Sequence, residues 1–151
     1  MLERYEGNFD EEIFILSFME SRGIKNKKKA MSELRKLIKS EGYYQGKIKD
    51  QLKKRYPGAF IRKIAQGAYS EGGMPDILMI KDGHYFGFEV KRPVVGIRSK
   101  LQEETVRLIR AAGGTAEFVT WPEEAIKAVE AYDASMKRIL IMSPGSKVEY
   151  L

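Results

Sequence analysis

Asp76, Glu89 and Lys91 belong to one stretch, Gly73 to Lys91, whose turn chemistry brings them to one surface. Ile77 to Ile80 and Tyr85 to Val90 are short, apolar and β-prone. Between them Asp82-Gly83 suits a two-residue type I′ turn, because both residues tolerate positive φ. With that turn Lys81 faces His84 and, counting outward, Asp76 faces Glu89. Side chains alternate along a strand, so Lys91 shares the carboxylate face while Phe86, Phe88 and Val90 point the other way, into a core. Two facing carboxylates repel. A hard divalent cation between them removes the repulsion, and carboxylate oxygens are what Mg²⁺ prefers. A lysine beside them can hold a phosphate or orient a water, which together suits metal-assisted attack on a phosphodiester.

Gly73-x-Pro75-Asp76 followed by Glu89-x-Lys91 resembles the core motif of the PD-(D/E)xK nucleases. The wider run resembles the VRR-NUC family within that superfamily: Gly73-Met74-Pro75-Asp76-Ile77-Leu78, Glu89-Val90-Lys91-Arg92-Pro93, Ser99-Lys100-Leu101-Gln102 and Ala112-Gly113-Gly114. A lone Pro-Asp with Glu-x-Lys recurs by chance; the turn register and the Ser-x-x-Gln downstream make the combination more specific. The resemblance implies a restriction-endonuclease-like α/β core, a small mixed sheet flanked by helices. It implies that Asp76, Glu89 and the backbone carbonyl of Val90 hold Mg²⁺, or Mn²⁺ in vitro, that Lys91 positions the attacking water, and that Gln102 lies beside the metal. Ser99 to Gln102 is also a capping box, so Gln102 has a structural role available as well. Lys63 stands where the family often carries a lysine, and both Lys63 and Arg92 are expected at phosphates. The alternative for Lys63 is a charge guarding a strand edge.

The sequence departs from the family pattern at one position. The first helix of the nuclease core usually carries a glutamate, and by spacing from Ile48 and Leu52 the position here is Gln45. A neutral amide can hold a water but contributes no charge. Glu41, one turn earlier, and Glu71, in the loop before Pro75, are the substitutes. An ordinary surface residue is the competing reading of Gln45.

A chain of 151 residues with a net charge of +6 fits one domain with an appendage. No cysteine occurs, which excludes disulfides and thiolate zinc sites and makes a reducing cytosol the natural compartment. A single histidine leaves carboxylates as the metal ligands. No apolar run approaches membrane-spanning length, and the first residues show no signal-peptide pattern. From Arg22 to Lys63 fifteen Lys or Arg stand against three acids, which points to a polyanionic partner, most simply nucleic acid.

Residues 1–42 are expected as an N-terminal helical extension, 43–132 as the nuclease core and 133–151 as a C-terminal strand and tail. Asp10 caps a first helix ended by Gly23, apolar on more than one face through Ile13, Phe14, Leu16, Phe18 and Met19, and suited to a subunit contact. Asn26 caps a second, Lys27 to Ser40, with Met31, Leu34, Leu37 and Ile38 inward. Lys28 and Lys29 on this helix are expected at DNA phosphates, without reading bases. A third helix runs from Tyr43 to Arg55 on Tyr44, Ile48 and Leu52, and Pro57-Gly58 stops it. Phe60 to Ile64 is a strand and Ala65 to Gly73 a loop. The helix opened by Ser99 buries Leu101, Thr105, Leu108, Ile109 and Ala112. Ala116 to Thr120 is a strand parallel to the one ending at Val90, because a helical crossover joins them. Thr120 to Glu123 boxes a last helix ending near Tyr132, and Arg138 to Met142 adds an edge strand. The expected partner is DNA, branched in view of the resemblance, cut by a homodimer. A non-catalytic DNA-binding module on a degenerate nuclease fold is the alternative.

Overall fold

The Asp82-Gly83 hairpin lies at the middle of a four-stranded sheet. In the computed structural model, which describes residues 1–5, 7, 9–65, 72–142 and 145, β1 (Phe60–Lys63), β2 (Ile77–Lys81), β3 (His84–Val90) and β4 (Thr115–Val119) lie in the order β1-β2-β3-β4. Lys81 faces His84 and Ile77 faces Phe88, the register expected from the turn. Asp82 and Gly83 have φ of 51° and 75°, the left-handed pair that a type I′ turn requires. β1 is antiparallel to β2, and β4 is parallel to β3.

The helices are α1 (Glu11–Arg22), α2 (Lys27–Leu37), α3 (Glu41–Arg55), α4 (Lys100–Ala111) and α5 (Pro122–Met142). Asp10, Asn26, Ser40 and Ser99 each accept a backbone N–H of the first turn of α1, α2, α3 and α4. Gly23 ends α1 in the left-handed conformation. The sheet separates two environments. His84, Phe86, Phe88 and Val90 face one side, where Tyr132 of α5 stacks on His84 at 3.6 Å. Tyr44, Ile48 and Leu52 of α3 join the core on that side. Tyr85, Gly87 and Glu89 face the other, where α4 approaches. Several helix expectations change on folding.

α2 stops at Leu37, because Ser40 is used as the cap of α3, which begins at Glu41 rather than Tyr43. Leu37 is exposed and Ala30 is buried in its place, beside Leu34 and Ile38. In α1 Ile15 and Phe18 are buried whereas Ile13 and Leu16 are exposed.

α4 buries only Val106, with Leu101 54% and Leu108 53% exposed. Its apolar stripe is wider than the surface it covers: Leu101 and Thr105 lie against Gly73 and Ile109 against Gly114, leaving the outer flank uncovered.

The strand expected at Arg138 to Met142 is helix, because α5 continues unbroken to Met142. Residues 133–142 contain no Gly or Pro and are rich in good helix formers, so nothing stops propagation. Its start shifts by one residue as well: Glu124, not Glu123, reaches back, accepting the N–H of Thr120 and Trp121 at 3.1 and 3.0 Å. Most of the expected loop from Ala65 to Gly73 and most of the tail from Ser143 lie outside the described residues. Among the described residues no helix is long and apolar enough to cross a membrane.

Candidate active site

Glycine brings the Pro-Asp motif onto the sheet. A Cβ at Gly87 would lie 2.9 Å from Pro75 Cγ, so only glycine in the middle of β3 lets Pro75 close onto it. Gly73 has φ of 96°, and a Cβ there would meet Thr105 Oγ1 at 2.8 Å and Leu101 Cγ at 2.9 Å, so α4 packs directly on the backbone before Pro75. Asp76 follows. Its carbonyl accepts the Ile64 N–H at 2.8 Å, which holds it to β1. Its Oδ2 accepts the Val90 N–H at 2.7 Å, beyond the last backbone pair of the hairpin. Asp76 and Glu89 thus stand together at the open end of the hairpin.

Glu89 is only 2% exposed. Burial, then the Asp76 charge and a hydrogen bond with that carboxylate, push its pKa up to about 8, against the pull of Lys91. Gln102 Nε2 donates to Glu89 Oε1 at 2.8 Å. The Gln102 carbonyl accepts the Ser99 N–H at 3.0 Å, while Gln102 N–H donates to Ser99 Oγ at 3.1 Å. One side chain thus completes the capping box and contacts Glu89 at once.

The α3 carboxylate close to this pair is Glu41. Burial and the Asp76 charge raise its pKa, while Lys91, Arg92 and Lys63 lower it, so its charge is felt by the whole group. Glu89 in turn feels Glu41. Gln45 is buried and its Nε2 donates to Glu41 Oε1 at 3.3 Å. Gln45 therefore supports Glu41 and is no surface residue. Starting α3 at Tyr43 put Glu41 outside the helix; Ser40-Glu41, a cap followed by an acid in the first turn, is the signal that places it inside. Glu71 lies outside the described residues.

Lys91 leaves β3 half-buried, its N–H donating to Val119 O at 2.9 Å. Lys63 is exposed at the end of the edge strand, in reach of Glu41. Lys28 and Lys29 are exposed in the first turn of α2, and the site lies at the other end of that helix. Arg92, expected at a phosphate, is engaged elsewhere. Its Nε donates to Lys39 O at 2.9 Å and its Nη2 to Arg35 O and Ile38 O at 2.6 and 2.7 Å. Arg35 lies in the last turn of α2 and Ile38 and Lys39 just follow it, so Arg92 caps the carbonyls at the helix end.

Among the described residues no three Asp, Glu, His or Cys side chains gather closely enough to hold a metal together. The donors on offer are the two carboxylates of Asp76 and Glu89. Two acids stand in contact, and Glu89 is raised first by its burial and then by the Asp76 charge, a pairing that a divalent cation would relieve. A pair suits Mg²⁺, which keeps waters and substrate oxygens as its remaining ligands.

No family model and no curated protein matches this chain. Among solved structures it is similar to one described as a VRR_NUC domain, at 24% identity and a TM-score of 0.47, over 59% of this chain and 97% of that one.

Proposed function

We propose that this chain is a metal-dependent DNA endonuclease that hydrolyses phosphodiester bonds. The observation that carries the reading is the contact between half-buried Asp76 and buried Glu89, with Lys91 and Gln102 beside them. A structural role does not call for two acids in contact, since like charges that close repel. Asp76, Glu89 and the Val90 carbonyl would hold Mg²⁺ or Mn²⁺. Bound there, the ion supplies Lewis-acid polarisation of the phosphoryl oxygen and a lowered pKa for water.

The residues divide the remaining work. Lys91 holds the attacking water and offsets the charge that builds on the phosphoryl oxygens. Its compact ammonium is not replaced by arginine. Gln102 keeps one Glu89 oxygen fixed. Glu41, held by Gln45, adds negative charge that strengthens cation binding. The basic run of α2 and α3, with Lys28, Lys29 and Lys63, supplies phosphate contacts independent of base sequence. The motif resemblance favours branched DNA, cut symmetrically by a homodimer and leaving 5′-phosphates, in repair or recombination.

The test is cleavage of a labelled four-way junction, a flap and plain duplex in Mg²⁺, Mn²⁺ or EDTA, with Lys91→Ala alongside. Metal-dependent cutting that the variant lacks supports the nuclease, and the order of substrates names its class. Binding without cutting in every metal supports a DNA-binding module instead. An independent readout is thermal stability: Mg²⁺ should raise the Tm of the wild type and not that of Glu89→Gln, because a ligand stabilises only the fold that binds it.

A further inference from the structure

We infer that Arg92 and Glu11 are positioning residues for Lys91, and that through them α1 and α2 form part of the catalytic unit. The inference rests on the nuclease reading above for what Lys91 does, and on the turn that follows it for how Lys91 is held.

After Lys91 the chain makes a tight return. Gly96 N–H donates to Arg92 O at 3.2 Å and Val95 N–H to Pro93 O at 2.6 Å. The return presses Gly96 onto Lys91: a Cβ at Gly96 would lie 2.9 Å from Lys91 Cβ and 2.6 Å from Arg92 O. The start of the Lys91 side chain is therefore bounded by the turn itself. The turn is also strained, because Val94, a β-branched residue, sits at φ of 64°. Such a conformation persists only where its surroundings enforce it.

Two groups of the N-terminal helices enforce it. Glu11 Oε1, in the first turn of α1, accepts the Val94 N–H at 3.1 Å. The Arg92 guanidinium grips three carbonyls at the end of α2. Val94 and Val95 are buried in the same core as Ile15 of α1 and Leu34 of α2. A capping role for Arg92 accounts for the stability of α2 alone. It does not account for Glu11 holding the strained residue two positions further on. Both contacts act on the one turn that abuts Lys91.

The experiment compares full-length Arg92→Ala, Arg92→Lys and Glu11→Ala with wild type in three measurements. These are single-turnover cleavage in Mg²⁺, DNA affinity in EDTA, and amide hydrogen exchange of residues 92–96. Arg92→Ala should cut ~10- to 100-fold more slowly, the cost of a reacting group displaced by a fraction of an ångström. Its DNA affinity should stay within about threefold, because no phosphate contact is lost. Gly96 exchange should accelerate. Arg92→Lys should restore little, since an ammonium cannot bridge three carbonyls in the fixed geometry of a guanidinium. Glu11→Ala should shift rate and exchange in the same direction by less, and it carries the test if Arg92→Ala does not fold. A loss of affinity at unchanged rate would overturn the inference and return Arg92 to the phosphate contacts. Wild-type rate with unchanged exchange in both alanine variants overturns it too. If the wild type cuts nothing, the nuclease reading fails by itself. Exchange then decides the clamp: faster exchange in the variants supports it, and no change overturns it.

Discussion

α3 and α4 each bring one glutamine to one carboxylate, and they do so in opposite ways. Both helices start on a serine cap, Ser40 and Ser99. Gln45 binds Glu41 of its own helix, one turn back, at 3.3 Å. Gln102 reaches across to Glu89 on β3 at 2.8 Å. α3 is anchored by Tyr44, Ile48 and Leu52 in the core, whereas α4 buries Val106 alone. A deeply packed helix can carry a site residue by its own rigidity. A lightly packed one needs a direct bond to the site, and the capping box holds that bond in place by orienting Gln102 from behind.

The comparison is open to attack, first through packing. Ile48→Ala should destabilise the protein by about 3 kcal/mol, as for a fully buried isoleucine. Leu108→Ala on the exposed flank of α4 should cost less than about 0.5 kcal/mol. Denaturant midpoints check both, and equal losses would mean that α4 is as much a core helix as α3.

A second attack is through the amides. Gln102→Ala should lower metal affinity or cleavage by about 10- to 100-fold, the usual effect of removing a group that orients a metal ligand. Gln45→Ala should stay below about tenfold, since Glu41 remains seated in its helix. Gln45→Glu should change the Mg²⁺ dependence of cleavage; an unchanged titration would make Gln45 a support for the helix only.

The caps give a smaller effect. Ser40→Ala and Ser99→Ala should each cost about 1 kcal/mol of stability. Only Ser99→Ala should also slow cleavage, because the lost hydroxyl holds the Gln102 backbone N–H and with it the helix turn that aims the Gln102 amide at Glu89. Equal cleavage by the two variants would separate the capping box from the site.

The smallest effect is a pH dependence on the face away from the site. His84 stacks on Tyr132 and its Nε2 lies 2.8 Å from Thr115 Oγ1, and burial lowers its pKa. The unfolded chain therefore takes up the proton first as pH falls. The stability that the neutral ring contributes is full above about 6.5 and is lost as pH drops through the lowered value. His84→Phe keeps the stack and should lose less stability than the wild type between pH 7 and pH 5.5. Parallel pH curves would remove His84 as the cause.

Much of the site was legible because short-range rules governed it. Two residues of turn chemistry set the register that puts Asp76 beside Glu89, and alternation put the aromatic residues on the opposite face. The Ser99 box was readable from spacing alone. Glu41 is less legible, because it joins the first turn only when Ser40 serves as the cap of α3, and a propensity pattern sets boundaries loosely. α5 was cut short for the same reason: apolar residues at 139–142 read equally as strand or as the end of a helix when nothing breaks the chain.

By itself, then, the sequence determined the local geometry: which residues turn, which alternate, which cap, and so which carboxylates meet across a hairpin. Tertiary structure alone decided where the Arg92 guanidinium goes. An arginine beside a Glu-x-Lys motif carries the same charge whether it meets a phosphate or a helix end. The end of α2 presents three carbonyls to Arg92 only once the chain has brought residues 35–39 beside residue 92. That choice depends on contacts far apart in the chain, which no local pattern encodes, and it seats an arginine expected at a phosphate on helix-end carbonyls.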